Sequence, residues 1–330
     1  MTTYFLNARF ILILLVVIAN CIEPLVSQNR GMQILFDSIY TFHIPMFVFV
    51  TGYFSRDFHL DSHGLKILKL IAYQYVVFQT LYSFLDHFLF HAPNIYYSFF
   101  MPYSLLWFLF SNFFWKILLR LFTTLRHPIL VSILLGVIVG YIHGLGGWFS
   151  FSRTLVYFPF FLAGYYIKMD SIKKYLARIR WFAVCAGLLI SVSLWLGWKI
   201  DLRWLYGSYT YGQIGHQEWY AGIYRFVTYA FEGIASLGLL CLVPWKYSKI
   251  TERGKHTLYV FLIHGLLVKT LLALGIYRWI QTPLEIGYIL LGSVVLTWIL
   301  SHKWIVNKAQ PFIEPQFPAL SLKVFGIERK

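Results

Sequence analysis

Apolar stretches of membrane-crossing length recur along this chain, divided by short polar segments. The pattern predicts ten helical spans, at roughly 10–27, 34–54, 65–90, 104–122, 128–143, 153–168, 181–198, 221–243, 257–275 and 284–301. The third is long enough to tilt or kink, and the fifth is short. The expected fold is therefore an all-α integral membrane protein, with a single membrane domain over 1–301. Residues 302–330 form a basic tail with Pro311, Pro315 and Pro318, expected to lie along the inner membrane surface. The longest polar interruption, 199–220, is rich in Tyr, Trp and Gly and is expected outside. No internal repeat or soluble domain interrupts the series.

Composition agrees with this pattern: 59% of residues are hydrophobic, 12% are charged, and the mean hydropathy is +0.65. The net charge of +15 would suit a nucleic-acid partner, but the positions of the charges exclude that reading. With the N-terminus in the cytoplasm, about three-quarters of the 28 Lys and Arg residues fall on the cytoplasmic side. The expected outer loops between spans 3 and 4 and between spans 5 and 6 carry none until Arg153. Both termini are thus expected to be cytoplasmic, in a multi-pass protein of the cell membrane whose surroundings are the lipid bilayer. A signal peptide over 1–21 is disfavoured, because no small-residue cleavage site follows and further spans do. The sequence around Cys21 is a poor lipoprotein box, since Asn20 precedes the cysteine. Cys21, Cys185 and Cys241 all fall within spans, which argues against a disulfide framework or a cysteine zinc site, and no metal is expected.

Chemistry in such a chain must come from polar groups inside the spans, which are costly unless they serve a site. The first span offers the clearest set. Arg9 opens it, Asn20 follows eleven residues later, and Glu23 lies one turn beyond on the same face. Eleven residues rise roughly 16 Å, which predicts Asn20 near mid-membrane. His43 precedes Pro45 in span 2, and Thr51-Gly52 would admit a backbone or a ligand. Lys66 and Lys69 share a helical face at the start of span 3. Trp107 lies in span 4 and Arg153 opens span 6; Arg225 and Glu232 lie two turns apart in span 8, and His264 sits in span 9. Each has a plainer reading. The cations anchor helix ends at lipid headgroups, the histidines hydrogen-bond between helices, and Trp107 packs or belts the interface. Glu23 would orient the residue at position 20 or pair with Arg153 or Arg225.

Six stretches occur in one order: the first span, then F-H-I-P-M-F-V-F-V-T-G-Y-F, K-I-L-K, L-W-F-L-F, S-R-T-L-V-Y-F-P-F-F-L-A-G-Y-Y and L-Y-V-F-L-I-H-G. Together they resemble the bacterial membrane acyltransferase family 3, in its fucose 4-O-acetylase-like branch. The resemblance implies ten core spans and transfer of an acyl group, acetyl in the first instance, from cytoplasmic acyl-CoA to a hydroxyl of an extracytoplasmic glycan or lipid-linked sugar. It implies a donor site at Arg9, Lys66, Lys69, Thr51, Gly52 and Trp107. Asn20, Glu23, His43 and His264 would be catalytic, and Arg153, Arg225 and Glu232 would hold the acceptor. The family's first span carries Arg or Lys, ten residues, then His, taken as the base; here that position is Asn20. Imidazole exchanges a proton near neutrality, whereas an amide only donates or accepts hydrogen bonds. A deliberate replacement that traps the enzyme, an inactive relative and a site with another base all fit Asn20, and each leaves this chain inactive or altered. A polysaccharide exporter, a proton-coupled transporter or a membrane pseudoenzyme are the competing classes. A carrier is disfavoured because no repeat relates two halves.

Overall fold

The computed structural model describes residues 2–90, 98–142, 150–196 and 201–315. Parts of two expected outer loops, the start of the 199–220 segment and the end of the tail lie outside the described residues. The described chain is helical: α1 (Thr2–Ile22), α2 (Arg30–Tyr40), α3 (His43–Tyr53), α4 (Ser62–Phe88), α5 (Trp107–Phe122), α6 (Pro128–Ile138), α7 (Phe151–Tyr166) and α8 (Met169–Trp195). It continues with α9 (Leu202–Tyr206), α10 (Tyr211–Ile214), α11 (Ala221–Leu242), α12 (Lys249–Gly254), α13 (Thr257–Ala273), α14 (Pro283–Leu300) and α15 (Lys303–Ile313). Every stretch expected to span falls largely on helix. Among the described residues, five segments are long and apolar enough to cross a membrane: Thr2–Leu25, Arg30–Tyr53, Ser104–Phe122, Ala221–Leu242 and Pro283–Leu300. Pro128–Tyr141 and Thr257–Ala273 are shorter apolar helices.

Two local features depart from expectation. The first helix begins at Thr2 rather than near residue 10, because Asn7 is not a flanking polar residue but a buried one. Its Nδ2 donates to the carbonyls of Pro244 (2.8 Å) and Lys246 (3.0 Å), and its Oδ1 accepts from Thr251 Oγ1 at 2.6 Å. Asn20 therefore stands two residues before the end of α1, and Glu23 lies beyond it in a 3-10 turn, Glu23–Leu25. The second span is broken: α2 ends at Tyr40 and α3 restarts at His43. Pro45 falls in the first turn of α3, where a missing N–H does no harm.

α1 forms the centre of the bundle. It buries Tyr4, Phe5, Ala8, Leu12, Ile13, Val17 and Ile22 against neighbours on several sides. Gly254 of α12 lets the α1 backbone approach, since a Cβ there would strike the Leu6 carbonyl. α3 and α7 touch backbone to backbone. A Cβ on Gly52 would overlap the Phe161 carbonyl, and one on Gly164 would overlap the Phe49 carbonyl, which is how small residues let helices close in a membrane. The tail is not free along its first part. α15 docks on the bundle with Val306 and Ile313 buried, and Gln74 Nε2 donates to the Ile313 carbonyl at 3.0 Å.

Candidate active site

The break between α2 and α3 builds one side of a cavity of about 420 Å³. Val16 and Asn20 of α1, Glu23, Tyr40, and His43, Ile44 and Phe47 of α3 form that side. Opposite are Pro102, Ser104, Leu105, Trp107, Phe108, Arg153, Tyr206, Tyr209 and Phe261. Side chains from six separate stretches of sequence thus converge on one space, with a few polar groups set in apolar walls, the general form of a small-molecule site.

Because α3 starts at His43, the Ile39 carbonyl receives a turn bond from Phe42 N at 3.3 Å in place of a regular helical one. His43 Nδ1 lies 2.8 Å from the Ile39 carbonyl, which can only accept. The ring proton therefore sits on Nδ1, and Nε2 carries a lone pair with no protein partner among the described residues. Tyr40 packs edge-on against the ring at 4.6 Å. Asn20 makes the equivalent bond one span earlier: its Nδ2 donates to the Val16 carbonyl at 2.9 Å, again four residues back. Its Oδ1 has no protein partner among the described residues. His264 repeats the pattern, with Nδ1 at 2.8 Å from the Val260 carbonyl.

Arg153 is held over the cavity from α7. Its guanidinium stacks on Trp107 (5.1 Å), and one nitrogen donates to Ser208 Oγ at 3.3 Å, while Nε is buried without a hydrogen-bond partner among the described residues. The helix beneath it is fixed by Trp115 Nε1 donating to the Thr154 carbonyl (2.8 Å) and Ser152 Oγ donating to the Gly207 carbonyl (2.7 Å). Tyr157 bonds to the Leu205 carbonyl, bringing the 201–210 segment over the opening. Burial, then the neighbouring Glu23 carboxylate, pushes the Tyr206 phenol up to about 12, so it stays a donor at neutral pH.

The far wall is pinned by a cluster that reading the sequence missed. Lys269 bonds Asp86 at 2.7 and 2.9 Å, and Tyr103 bonds both. Gln79 donates to the Ser98 and Met101 carbonyls at 3.0 Å and accepts from Tyr103 N at 2.8 Å. This frame holds Pro102, Ser104 and Leu105 against the cavity, with Ser104 in the left-handed region at φ 35°. The signal in the sequence was an acid and a base inside apolar spans.

Of the residues singled out from sequence, Asn20, Glu23, His43, Trp107 and Arg153 meet at the cavity. The others do not line it. His264 is fully buried behind Phe261, with Nε2 unpartnered among the described residues. Arg225 donates to the Trp204 carbonyl at 2.6 Å and stacks on that indole, and Glu232 is fully buried elsewhere on α11, both oxygens without a hydrogen-bond partner among the described residues. Glu23 makes no ion pair with Arg153 or Arg225 among the described residues. Gly52 serves the approach of α7, and Thr51 bonds back to the Phe47 carbonyl at 2.8 Å. Arg9 lies over Phe54 at 5.0 Å, away from the cavity on α1; Lys66 and Lys69 are exposed near the start of α4. Tyr40, Tyr206 and Tyr209 line the cavity and carry no mark in the sequence that separates them from the chain's other tyrosines.

No curated protein and no solved structure matches the chain. Residues 3–302, which include every wall of the cavity, match the acyltransferase domain of acyltransferase family 3, and the chain belongs to that family.

Proposed function

We propose that this protein is a membrane O-acyltransferase that takes an acyl group, acetyl in the first instance, from cytoplasmic acyl-CoA. The acceptor is a hydroxyl of an extracytoplasmic cell-envelope glycan or lipid-linked sugar, as in the fucose 4-O-acetylase-like branch. The observation that carries the reading is the meeting of Asn20, Glu23, His43, Trp107 and Arg153 around one cavity, within a chain of acyltransferase family 3. Arg9 lies on α1 eleven residues before Asn20, roughly 16 Å along the axis. A donor whose phosphates lie near Arg9 would thus extend its pantetheine arm along α1 to the cavity. The sugar hydroxyl would enter past Glu23, Tyr206 and Tyr209, and Arg153 would steady the acceptor or the developing oxyanion.

Attack on the thioester requires a base for the hydroxyl proton. At position 20 an amide replaces the expected imidazole, so direct transfer is impaired in this chain. His43, with its free Nε2 at the same cavity, is the imidazole that remains there as a base. Transfer of label from radiolabelled acetyl-CoA to envelope glycans, compared between this chain and Asn20→His, tests the proposal. Label appearing or rising strongly with His supports it. Failure of both proteins to transfer or to bind acyl-CoA, beside a working positive control, would sink it.

A further inference from the structure

A second cavity, of about 350 Å³, opens at the end of the bundle where α4 begins. Its titratable lining is His59, Asp61, Lys116, Arg120 and Tyr165. Lys116 is the unusual member. It sits inside the apolar helix α5, only 8% exposed, and no carboxylate pairs with it among the described residues. Its ammonium donates to Ser55 Oγ at 2.9 Å and lies 4.6 Å from the Phe58 ring. An ammonium has three protons to donate, and Ser55 takes one. A buried cation left this way is expensive unless an anion completes it.

The surroundings favour that anion over water alone. Arg120 follows Lys116 by one helical turn and is exposed at the cavity rim. Asp61, the one carboxylate in the lining, caps α4 instead of pairing with Lys116. It accepts the Gly64 N–H at 2.8 Å, a bond that holds it below the usual carboxylate range. Arg56, next to Ser55, is tied to the Tyr165 carbonyl at 3.0 Å and stacks on Tyr53. Positive charge therefore exceeds negative in a recess with a buried floor and an open mouth. Ser55 also adjoins Phe54, over which Arg9 lies, so the recess and the foot of α1 share one end of the molecule.

We infer that the recess between α5 and the 58–61 turn is a phosphate-binding site in which Lys116 and Arg120 grip a phosphate monoester or diester. Resting on the donor reading proposed above, one source of that phosphate is the 3′-phosphate of the donor nucleotide; an anionic lipid headgroup is the other. Lys66 and Lys69, both exposed, then serve as the approach to the recess rather than as its floor.

The test uses the full chain in nanodiscs and measures affinity for CoA, 3′-dephospho-CoA and inorganic pyrophosphate, with phosphatidylglycerol retention by native mass spectrometry. The unmodified chain is expected to bind CoA about tenfold or more tighter than 3′-dephospho-CoA, and Lys116→Met to erase that preference without weakening 3′-dephospho-CoA. Equal affinity for the two nucleotides, with retained phosphatidylglycerol that Lys116→Met loses, keeps the site and assigns it to a headgroup. Arg120→Gln and Ser55→Ala repeat the comparison should Lys116→Met fail to fold. An unmodified chain that binds no CoA defeats the donor reading alone, and the lipid and pyrophosphate measurements then decide the recess. Unchanged nucleotide preference, lipid retention and pyrophosphate affinity across all folded variants would overturn the inference.

Discussion

The sharpest consequence of the cavity concerns Asn20→His. Asn20 reaches the Val16 carbonyl from Nδ2 at 2.9 Å, and both His43 and His264 bond the carbonyl four residues back from Nδ1 at 2.8 Å. An imidazole at position 20 can make the same bond from Nδ1 with little adjustment. That bond fixes the tautomer and leaves an Nε2 lone pair for the cavity, where Asn20 now offers an amide. Restoring a positioned general base typically raises the rate by about 10²- to 10⁴-fold, or roughly 3–5 kcal/mol off the barrier. The assay is single-turnover transfer from radiolabelled acetyl-CoA to envelope glycan at saturating donor, as a function of pH. The variant is expected to gain at least about a hundredfold, with a rate that rises with pH as the imidazolium loses its proton and then levels off. Donor affinity should barely change, because position 20 acts on the hydroxyl proton. Full activity in the unmodified chain, or a gain below about threefold with a pH profile unaltered, would refute the assignment of position 20 as the seat of the base.

Three further outcomes follow from the same geometry. Replacing His43 by Gln in the unmodified chain should sharply slow whatever transfer Asn20 permits, since His43 Nε2 is the imidazole nitrogen left at the cavity; residual single-turnover rates unchanged by His43→Gln would dismiss it. Gly164→Ala drives a methyl into the Phe49 carbonyl, so thermal unfolding in detergent should show a loss of about 1–3 kcal/mol, while Gly287→Ala, with open space at its Cβ, should be silent. Asp86→Asn strips Lys269 of its counter-charge beneath the 98–106 wall. With the Lys269 side chain 27% exposed, the loss should stay near or below the lower end of the roughly 3–5 kcal/mol seen for fully buried pairs, and adding Lys269→Met should recover part of it. Equal Tm values for Asp86→Asn and the unmodified chain would show that the pair is not holding that wall.

Where the sequence spoke clearly, it did so through polar residues out of place in apolar runs. Asn20, Glu23 and His43 are conspicuous there, and the cavity brings them together with Trp107 and Arg153. The same signal marked Arg225 and Glu232, yet the fold keeps both from the cavity, because a polar residue in a span reveals that it is accommodated and not by what. Helical phase could not separate these cases. In a soluble helix the apolar stripe names the buried face, but α1, α3 and α13 are apolar nearly all round, so their inward faces leave no stripe. Gly52 was ambiguous for a related reason: a glycine announces a close approach without naming the visitor, and the Phe161 carbonyl took the place offered to a ligand.

The place of Asn20 along its helix turns on one residue, and it has a functional meaning. Counting the span from Arg9 treats Asn7 as a flanking polar group, but Asn7 is fully buried and satisfied by α12 and the segment before it. The helix therefore starts earlier and Asn20 falls near its end, where Glu23 turns out of the helix and the chain breaks again at Thr41-Phe42. Two interrupted helices meeting beside one cavity leave backbone carbonyls for side chains to use, and irregular backbone in a membrane is tolerated where it lines a cavity. His43 takes one such carbonyl and keeps a lone pair free. The break in the second span is thus what positions a basic nitrogen at the cavity that position 20 also lines.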